Sequence, residues 1–478
     1  METKEIVREI PSKSANFSDW YTAVVLKAEL ADYAPMRGMT VFRPYGYAIW
    51  ELMQAALDRR FKETGHANAY FPLFIPRSFL EREAEHVAGF APEVAWVTHG
   101  GKEQLSEWLA VRPTSEAIIG HMYAKWIQSY RDLPILINQW NNVVRWEKST
   151  RFFLRTMEFL WQEGHTAHRT AQEAEEETWR MLRVYEDFVT TELAVPVLAG
   201  RKPDSEKFAG AIYSLTIEAM MPDGQALQSG TSHFFGTNFA RAFGIQFLDA
   251  DNTRKYVSTT SWGLSWRALG ATIMTHGDDR GLFLPPRIAP IQVVVVPIRF
   301  EQEPSVRDAA RSVAAELAGR MRVRLDEREA YTPGWKFNDW EMRGVPLRVE
   351  IGPKELRAHQ AILVARDGQG GRRPVPLDGV ADAAAAELGA IQSRMYERAK
   401  AFLDSQTLQA STFDEAVETI GQRRGFVRVL WCRDAACENR LREATGASPR
   451  VITDEPADGV CVACGRPAVC AVYFARAY

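Results

Sequence analysis

The chain has 478 residues, 46% hydrophobic and 25% charged, with a formal net charge of -3. That length fits two to four domains, and the apolar fraction excludes a mainly disordered polypeptide. The balanced charge gives no global sign of a nucleic-acid partner and leaves local patches open. All five cysteines lie between Cys432 and Cys470. This placement excludes a secreted disulfide scaffold and points to an intracellular metal or thiol site. No window approaches the roughly 20 apolar residues that span a bilayer. The N-terminal METKEIVREIP is charged and lacks the apolar core of a secretory signal, so a cytoplasmic protein is the expectation.

Apolar residues at three- and four-residue intervals predict helices over Trp20–Ala31 and Tyr45–Phe61. NAYFPLFIP (Asn68–Pro76) reads as a strand interrupted by Pro72 and Pro76, at a sheet margin or an interface. Ile135–Trp146 and Phe152–Trp161 predict two strands joined by a polar loop, hence an antiparallel sheet. Residues 171–194 form an amphipathic helix with acidic first turns. Ala226–Phe235 and Lys255–Trp262 read as strands, and Leu264–Thr275 as a buried helix. After Pro285, Pro286 and Pro290, IQVVVVPI has the continuous apolar character of a strand buried on both faces. Alternating helix and strand patterns then run to Leu403, which predicts a small α/β domain. The predicted units are 1–287, 288–405 and a cysteine-bearing unit over 406–478. The fold class is therefore multidomain α+β and α/β.

Cys432-x4-Cys437 and Cys461-x2-Cys464 supply two thiolate pairs. Zinc takes four ligands in a tetrahedron, and short Cys turns present two sulfurs to one ion. The alternative is ordinary buried cysteines, and Cys470 fits that role. No water-activating group sits beside the pairs, so the metal would be structural. Residues 421–450 around them hold seven arginines against Asp434, Glu438 and Glu443, a solvated face or a phosphate-facing one.

The densest chemistry lies in VVRWEKSTRFFLRTMEFLWQEGHTAH. Arg145 and Glu147 end a strand, Arg151 and Arg155 follow across a loop, and Glu158 and Glu163 come next. Guanidinium stays charged and grips phosphate or carboxylate bidentately, so this array suits an anionic ligand; a surface salt-bridge array is the competing reading. No GxxxxGK[ST] loop is present, and Gly368–Gly371 reads as a hairpin turn.

This segment resembles motif 2 of class II aminoacyl-tRNA synthetases, Gly46–Pro76 resembles the dimer-forming motif 1, and SWGLSWRALGATIMTHGDDRG resembles motif 3. With RPTSE (Arg112–Glu116), ALQSGTSH (Ala226–His233) and TTSWGLSWR (Thr259–Arg267), nearly the whole chain resembles prolyl-tRNA synthetases of the archaeal/eukaryotic type. Class I HIGH and KMSKS signatures are absent. The resemblance implies an antiparallel catalytic domain, an α/β anticodon-binding domain and a zinc-binding extension holding Cys432, Cys437, Cys461 and Cys464. It implies a cytoplasmic homodimer formed through motif 1. The substrates would be L-proline, ATP with Mg²⁺, and tRNA(Pro).

By resemblance, Arg145 bridges the proline carboxylate and the α-phosphate. Glu147, Arg155, Thr156, Gln228 and Thr231 hold the rest of ATP, and Arg267 clamps the outer phosphates with Arg280 as its rival. Thr114 and Glu116 accept from the secondary ammonium, while His233 and Ser265 line the ring pocket. Taken alone, His233 reads as a satisfied core histidine, and Phe152, Phe159 and Trp161 as core or pocket wall. Glu341, Arg348 and Lys354 would read the anticodon, whose guanines offer acceptors to Arg and Lys and donors to Glu. The short span from Arg155 to Gln228 leaves no room for an inserted editing domain. Two alternatives remain: a paralogue that has lost catalysis, although Arg145, Arg155 and Arg267 are all present, and a threonyl-type enzyme, although residues 1–431 hold no cysteine for its catalytic zinc.

Overall fold

The computed structural model describes residues 10–86 and 93–478; the charged segment METKEIVRE lies outside them. In chain order, the principal sheet takes its strands from β1 (Ala67–Asn68), β2 (Ile135–Val144), β3 (Glu158–His168), β4 (Val197–Arg201), β5 (Tyr213–Met220), β6 (Ala226–Gly236) and β7 (Ser258–Ser265). It continues with β8 (Thr407–Gln409), β9 (Phe426–Trp431), β10 (Ser448–Thr453) and β11 (Cys470–Ala475). Their spatial order is β8-β9-β11-β10-β4-β5-β6-β7-β3-β2-β1. From β4 to β2 every neighbour is antiparallel, as the sequence leads one to expect.

One face of this sheet is covered by the helix Ala171–Thr191. It starts in a capping box, with Thr170 accepting from the Glu173 amide and Glu173 accepting from the Thr170 amide. Its apolar stripe of Met181, Leu182, Tyr185, Phe188 and Val189 is buried with Trp20, Phe61 and Trp262. The helices Phe17–Lys27 and Pro44–Glu63 pack into the same core. Val293–Pro297 is buried throughout. It is flanked by parallel strands Val323–Leu325 and Leu347–Ile351, with antiparallel Gln360–Ala365 and Arg372–Pro376 completing the second sheet. The last two strands form the hairpin around Gly368–Gly371.

Three strand assignments need correction. The stretch expected over Phe152–Trp161 begins only at Glu158 and runs on to His168, because Phe152, Phe153 and Leu154 form a buried turn instead. Lys255–Trp262 divides at Val257: Arg254–Tyr256 pairs with Gln246–Leu248, and Ser258 opens β7. Asn68–Pro76 likewise splits, with Asn68 on the principal sheet and Phe74–Pro76 in a separate three-stranded one.

The cysteine-bearing unit shares a sheet with the N-terminal unit. β10 meets β4 through Ile452 and Arg201. Gly200 permits this approach, since a Cβ there would lie 2.4 Å from the Ile452 carbonyl oxygen.

Candidate active site

Strands β3, β6 and β7 form the floor of a cleft of about 230 Å³. Side chains two apart on a strand share a face, which brings Trp161, Glu163 and His165 of β3 into it together. On β6, Ser229 is an extra residue in the register with β5, where Glu218 faces Gln228 but Ile217 faces Gly230. That bulge lets Gln228 and Thr231, an odd number of residues apart, both reach the cleft.

Arg145 follows directly on β2. Its Nε donates to the Pro113 carbonyl at 3.0 Å, and its guanidinium lies 5.3 Å from the Phe159 ring centre and 5.4 Å from that of Trp161. Phe159 and Trp161 are therefore pocket wall, whereas Phe152 is core. Arg267 opens the helix Arg267–His276; its amide donates to Ser265 Oγ at 3.2 Å, and its Nε donates to the Leu154 carbonyl at 2.9 Å. Burial, then the charges of Arg145 and Arg155, push the Arg267 pKa down to about 10. It still carries a proton at neutral pH. Two partly buried guanidiniums lining one cleft create a standing demand for an anion.

The same cleft also holds acidic groups, and Glu116 and Glu163 are near enough for their charges to act on Arg145. The Thr114 hydroxyl donates to the Glu116 carboxylate, which also accepts from Ser261 Oγ at 3.2 Å. Glu163 accepts from the Ser115 amide at 3.0 Å, Gln139 Nε2 at 2.9 Å, Asn141 Nδ2 at 2.7 Å and His165 Nε2 at 3.2 Å. Burial opposes both charges of the last pair, yet the mutual bond holds the Glu163 pKa low and the His165 pKa high. His233 lines the cleft with its Nδ1 2.8 Å from Ser214 Oγ. Burial, with Lys202 and His165 nearby, pushes its pKa down to about 3, so it is neutral. Lys202 donates to Gln228 Oε1 at 2.7 Å, and burial lowers its pKa.

Of the residues singled out from sequence, Thr114, Glu116, Arg145, Gln228, Thr231, His233, Ser265 and Arg267 line this cleft. Arg155 and Glu147 pair with each other at 3.0 Å beside it, and Thr156 is buried with its hydroxyl on the Glu158 carbonyl. Arg280 is occupied elsewhere. It donates to the Arg366 carbonyl at 2.9 Å and lies 3.6 Å from Glu341. The sequence reading gave no role to His165, Lys202, Phe208 or Ser261, which also line the cleft. The period-two spacing from Trp161 through Glu163 could have found His165. Lys202 and Phe208 lie in a loop with no motif.

Away from the cleft, Arg348 pairs with Glu341 at 3.2 Å and Glu350 at 2.9 Å and stacks over Phe337. Lys354 is exposed at the start of the helix Pro353–Arg357.

The four cysteine sulfurs of Cys432, Cys437, Cys461 and Cys464 lie within 4.8 Å of one another. Cys432 Sγ is 3.7 Å from both Cys437 Sγ and Cys464 Sγ. A tetrahedral zinc with Zn–S bonds of about 2.3 Å has sulfur–sulfur edges of about 3.8 Å, so the donor set fits that ion. Cys470 stands apart, with its thiol directed to the Trp431 carbonyl.

The family profile described as the tRNA synthetase class II core domain (G, H, P, S and T) matches residues 97–276, and an anticodon binding domain matches 292–387. The profile for the prolyl-tRNA synthetase C-terminal domain matches 413–478. Proteins named proline–tRNA ligase are similar over the full length. The one from Symbiobacterium thermophilum is 56% identical over 489 residues, covering 100% of both chains. That of Natranaerobius thermophilus is 55% identical over 479 residues, covering 99% of each. The chain belongs to the prolyl-tRNA synthetase family. Membership of this family makes it an aminoacyl-tRNA synthetase with a class II catalytic core, and the threonyl alternative falls away. No helix among the described residues is long and apolar enough to cross a membrane.

Proposed function

We propose that this protein activates L-proline with ATP and transfers it to the 3′ end of tRNA(Pro). The carrying observation is the charge of the cleft, whose lining brings the guanidiniums of Arg145 and Arg267 together with the Glu116 carboxylate and Thr114. An amino acid has a cation and an anion, and ATP adds phosphates beside the carboxylate. Arg145 would contact both the proline carboxylate and the α-phosphate, where negative charge gathers as the carboxylate oxygen attacks phosphorus and pyrophosphate leaves. The 3′ ribose hydroxyl of the tRNA then attacks the activated carbonyl, loses its proton, and AMP departs. Positioning and charge neutralisation supply the rate; no protein nucleophile is needed.

Glu116 and Thr114 would accept the two N–H donors of the secondary ammonium. His233, held neutral, and Ser265 would border the ring without adding a competing cation. Gln228 and Thr231 would take the ribose side, Glu147, Arg155 and Thr156 the remainder of ATP, and Arg267 the outer phosphates. ATP would enter as its magnesium complex.

Units 1–287, 288–405 and 406–478 would act as catalytic, anticodon-binding and zinc-binding domains, with Glu341, Arg348 and Lys354 reading the anticodon. Cys432, Cys437, Cys461 and Cys464 would hold a structural zinc, which supplies cross-linking of their two loops. Exposed Tyr47, Tyr70 and Phe74 are apolar surface that a homodimer through motif 1 would cover, and the enzyme would work in the cytoplasm. ATP–pyrophosphate exchange with each amino acid in turn tests the reading: proline alone should give strong exchange, and exchange driven by another amino acid without proline activity would overturn it.

A further inference from the structure

Arg450, on β10 of the C-terminal unit, reaches into the catalytic sheet to Glu218 on β5. Its Nη2 lies 3.0 Å from Oε1 and 3.2 Å from Oε2, and its Nε lies 3.3 Å from Oε2. The Glu218 side chain is fully buried. Thr216 Oγ1 donates to the same carboxylate at 3.1 Å.

Glu218 stands opposite Gln228 in the β5–β6 register, and Gln228 Oε1 is the acceptor of the Lys202 ammonium. Glu218 is close enough for its charge to act on both Lys202 and Arg267, two cations that line the cleft. A buried carboxylate without a partner is costly. Here the nearest substitutes for a missing partner would be Lys202, which holds the ribose-side Gln228, and Arg267, which takes the outer phosphates. Lys202 could exchange a neutral amide acceptor for a charged one, and a charge-assisted bond is roughly twice as strong as a neutral one.

We infer that Arg450 is a positioning residue for the ATP site. By pairing with Glu218 it keeps that carboxylate from capturing Lys202 and drawing on Arg267, so the C-terminal unit completes the phosphate-binding part of a cleft that it does not line. This inference rests on the proline-activating reading above.

The test uses the full-length chain in proline-dependent ATP–pyrophosphate exchange, with KM for ATP and for proline measured separately. Arg450→Met should raise KM for ATP by about tenfold or more while KM for proline stays within about twofold. The double variant Arg450→Met/Glu218→Gln, which removes the stranded charge, should return KM for ATP to within about threefold of the wild type. If Arg450→Met does not fold, Arg450→Gln keeps a hydrogen bond to Glu218 without the charge and carries the same comparison. The inference is overturned if a folded single variant leaves KM for ATP unchanged, if both KM values rise together, or if the double variant recovers thermal stability but not ATP affinity. Absence of proline-dependent exchange in the wild type would instead overturn the proposed function.

Discussion

Glu163 and His165 form a buried pair two residues apart on one strand, with Oε2 and Nε2 3.2 Å apart and side chains 2% and 6% exposed. The pair anchors the segment carrying Thr114 and Glu116, because the same carboxylate holds the Ser115 amide between them. The folded pKa of Glu163 is lowered, so its contribution is present above the unfolded value near 4.5 and is lost as pH falls through the folded one. The folded pKa of His165 is raised, so its contribution is complete below the unfolded value near 6.5 and is lost as pH rises through the folded one. Both are fully present between those values. Glu163→Gln should cost about 3 kcal/mol there, and its Tm deficit should narrow as pH rises through the folded His165 pKa in thermal melts. A deficit independent of pH would remove the ion pair as its cause.

Arg267 and Arg280 separate cleanly by position. Arg145→Ala and Arg267→Ala should each lower pyrophosphate exchange by about a thousandfold, since each deletes a preorganised cation facing the cleft. Arg280→Ala should keep exchange within about threefold, because its guanidinium is bonded to Arg366 and Glu341 outside the cleft. Near-normal exchange in either of the first two variants would cancel the assigned role.

For the metal site, elemental analysis should find one zinc per chain. Cys464→Ser or strong chelation should lower the melting temperature through the C-terminal unit, since the ion joins the Cys432/Cys437 loop to the Cys461/Cys464 turn. Well under one zinc in the wild type would sink the assignment.

Gly164 has no room for a side chain. A Cβ there would sit 2.1 Å from the Trp262 ring, and Trp262 also lines the cleft. Gly164→Ala should destabilise by about 2 kcal/mol or more and weaken proline binding, as overpacking displaces the indole. Unchanged melting and an unchanged KM for proline would show that the ring can move freely.

Arg348→Ala should lower aminoacylation of tRNA(Pro) by roughly 10- to 100-fold, the worth of one good base contact. Pyrophosphate exchange without tRNA should be unaffected. Equal loss in both assays would place the residue in the fold rather than in recognition.

Local pattern determined much of this protein. The 3.6-residue stripe of the helix Ala171–Thr191 and the continuous apolar run at Val293–Pro297 each state their element and its burial, because side-chain direction follows backbone period. The Cys pairs and the Arg-x-Glu segment are legible for the same reason: their spacing is itself the chemistry. The misplaced start of β3 had a different cause. Phe152, Phe153 and Leu154 are apolar enough for a strand, but their burial is met by the turn beneath Trp266 and Tyr21.

What only the tertiary structure decided are relationships across long separations. Nothing near Lys202 announces that it meets Gln228, and nothing near Arg450 announces Glu218, 232 residues away. The cysteine-bearing unit read as separate because its sequence carries its own elements. Its sheet joins the catalytic one because the unpaired edge of β4 needed hydrogen-bond partners and Gly200 left β10 room to supply them. Balanced total charge likewise concealed a cleft that gathers guanidiniums and carboxylates together, since a sum over the chain holds no information about where folding places each sign.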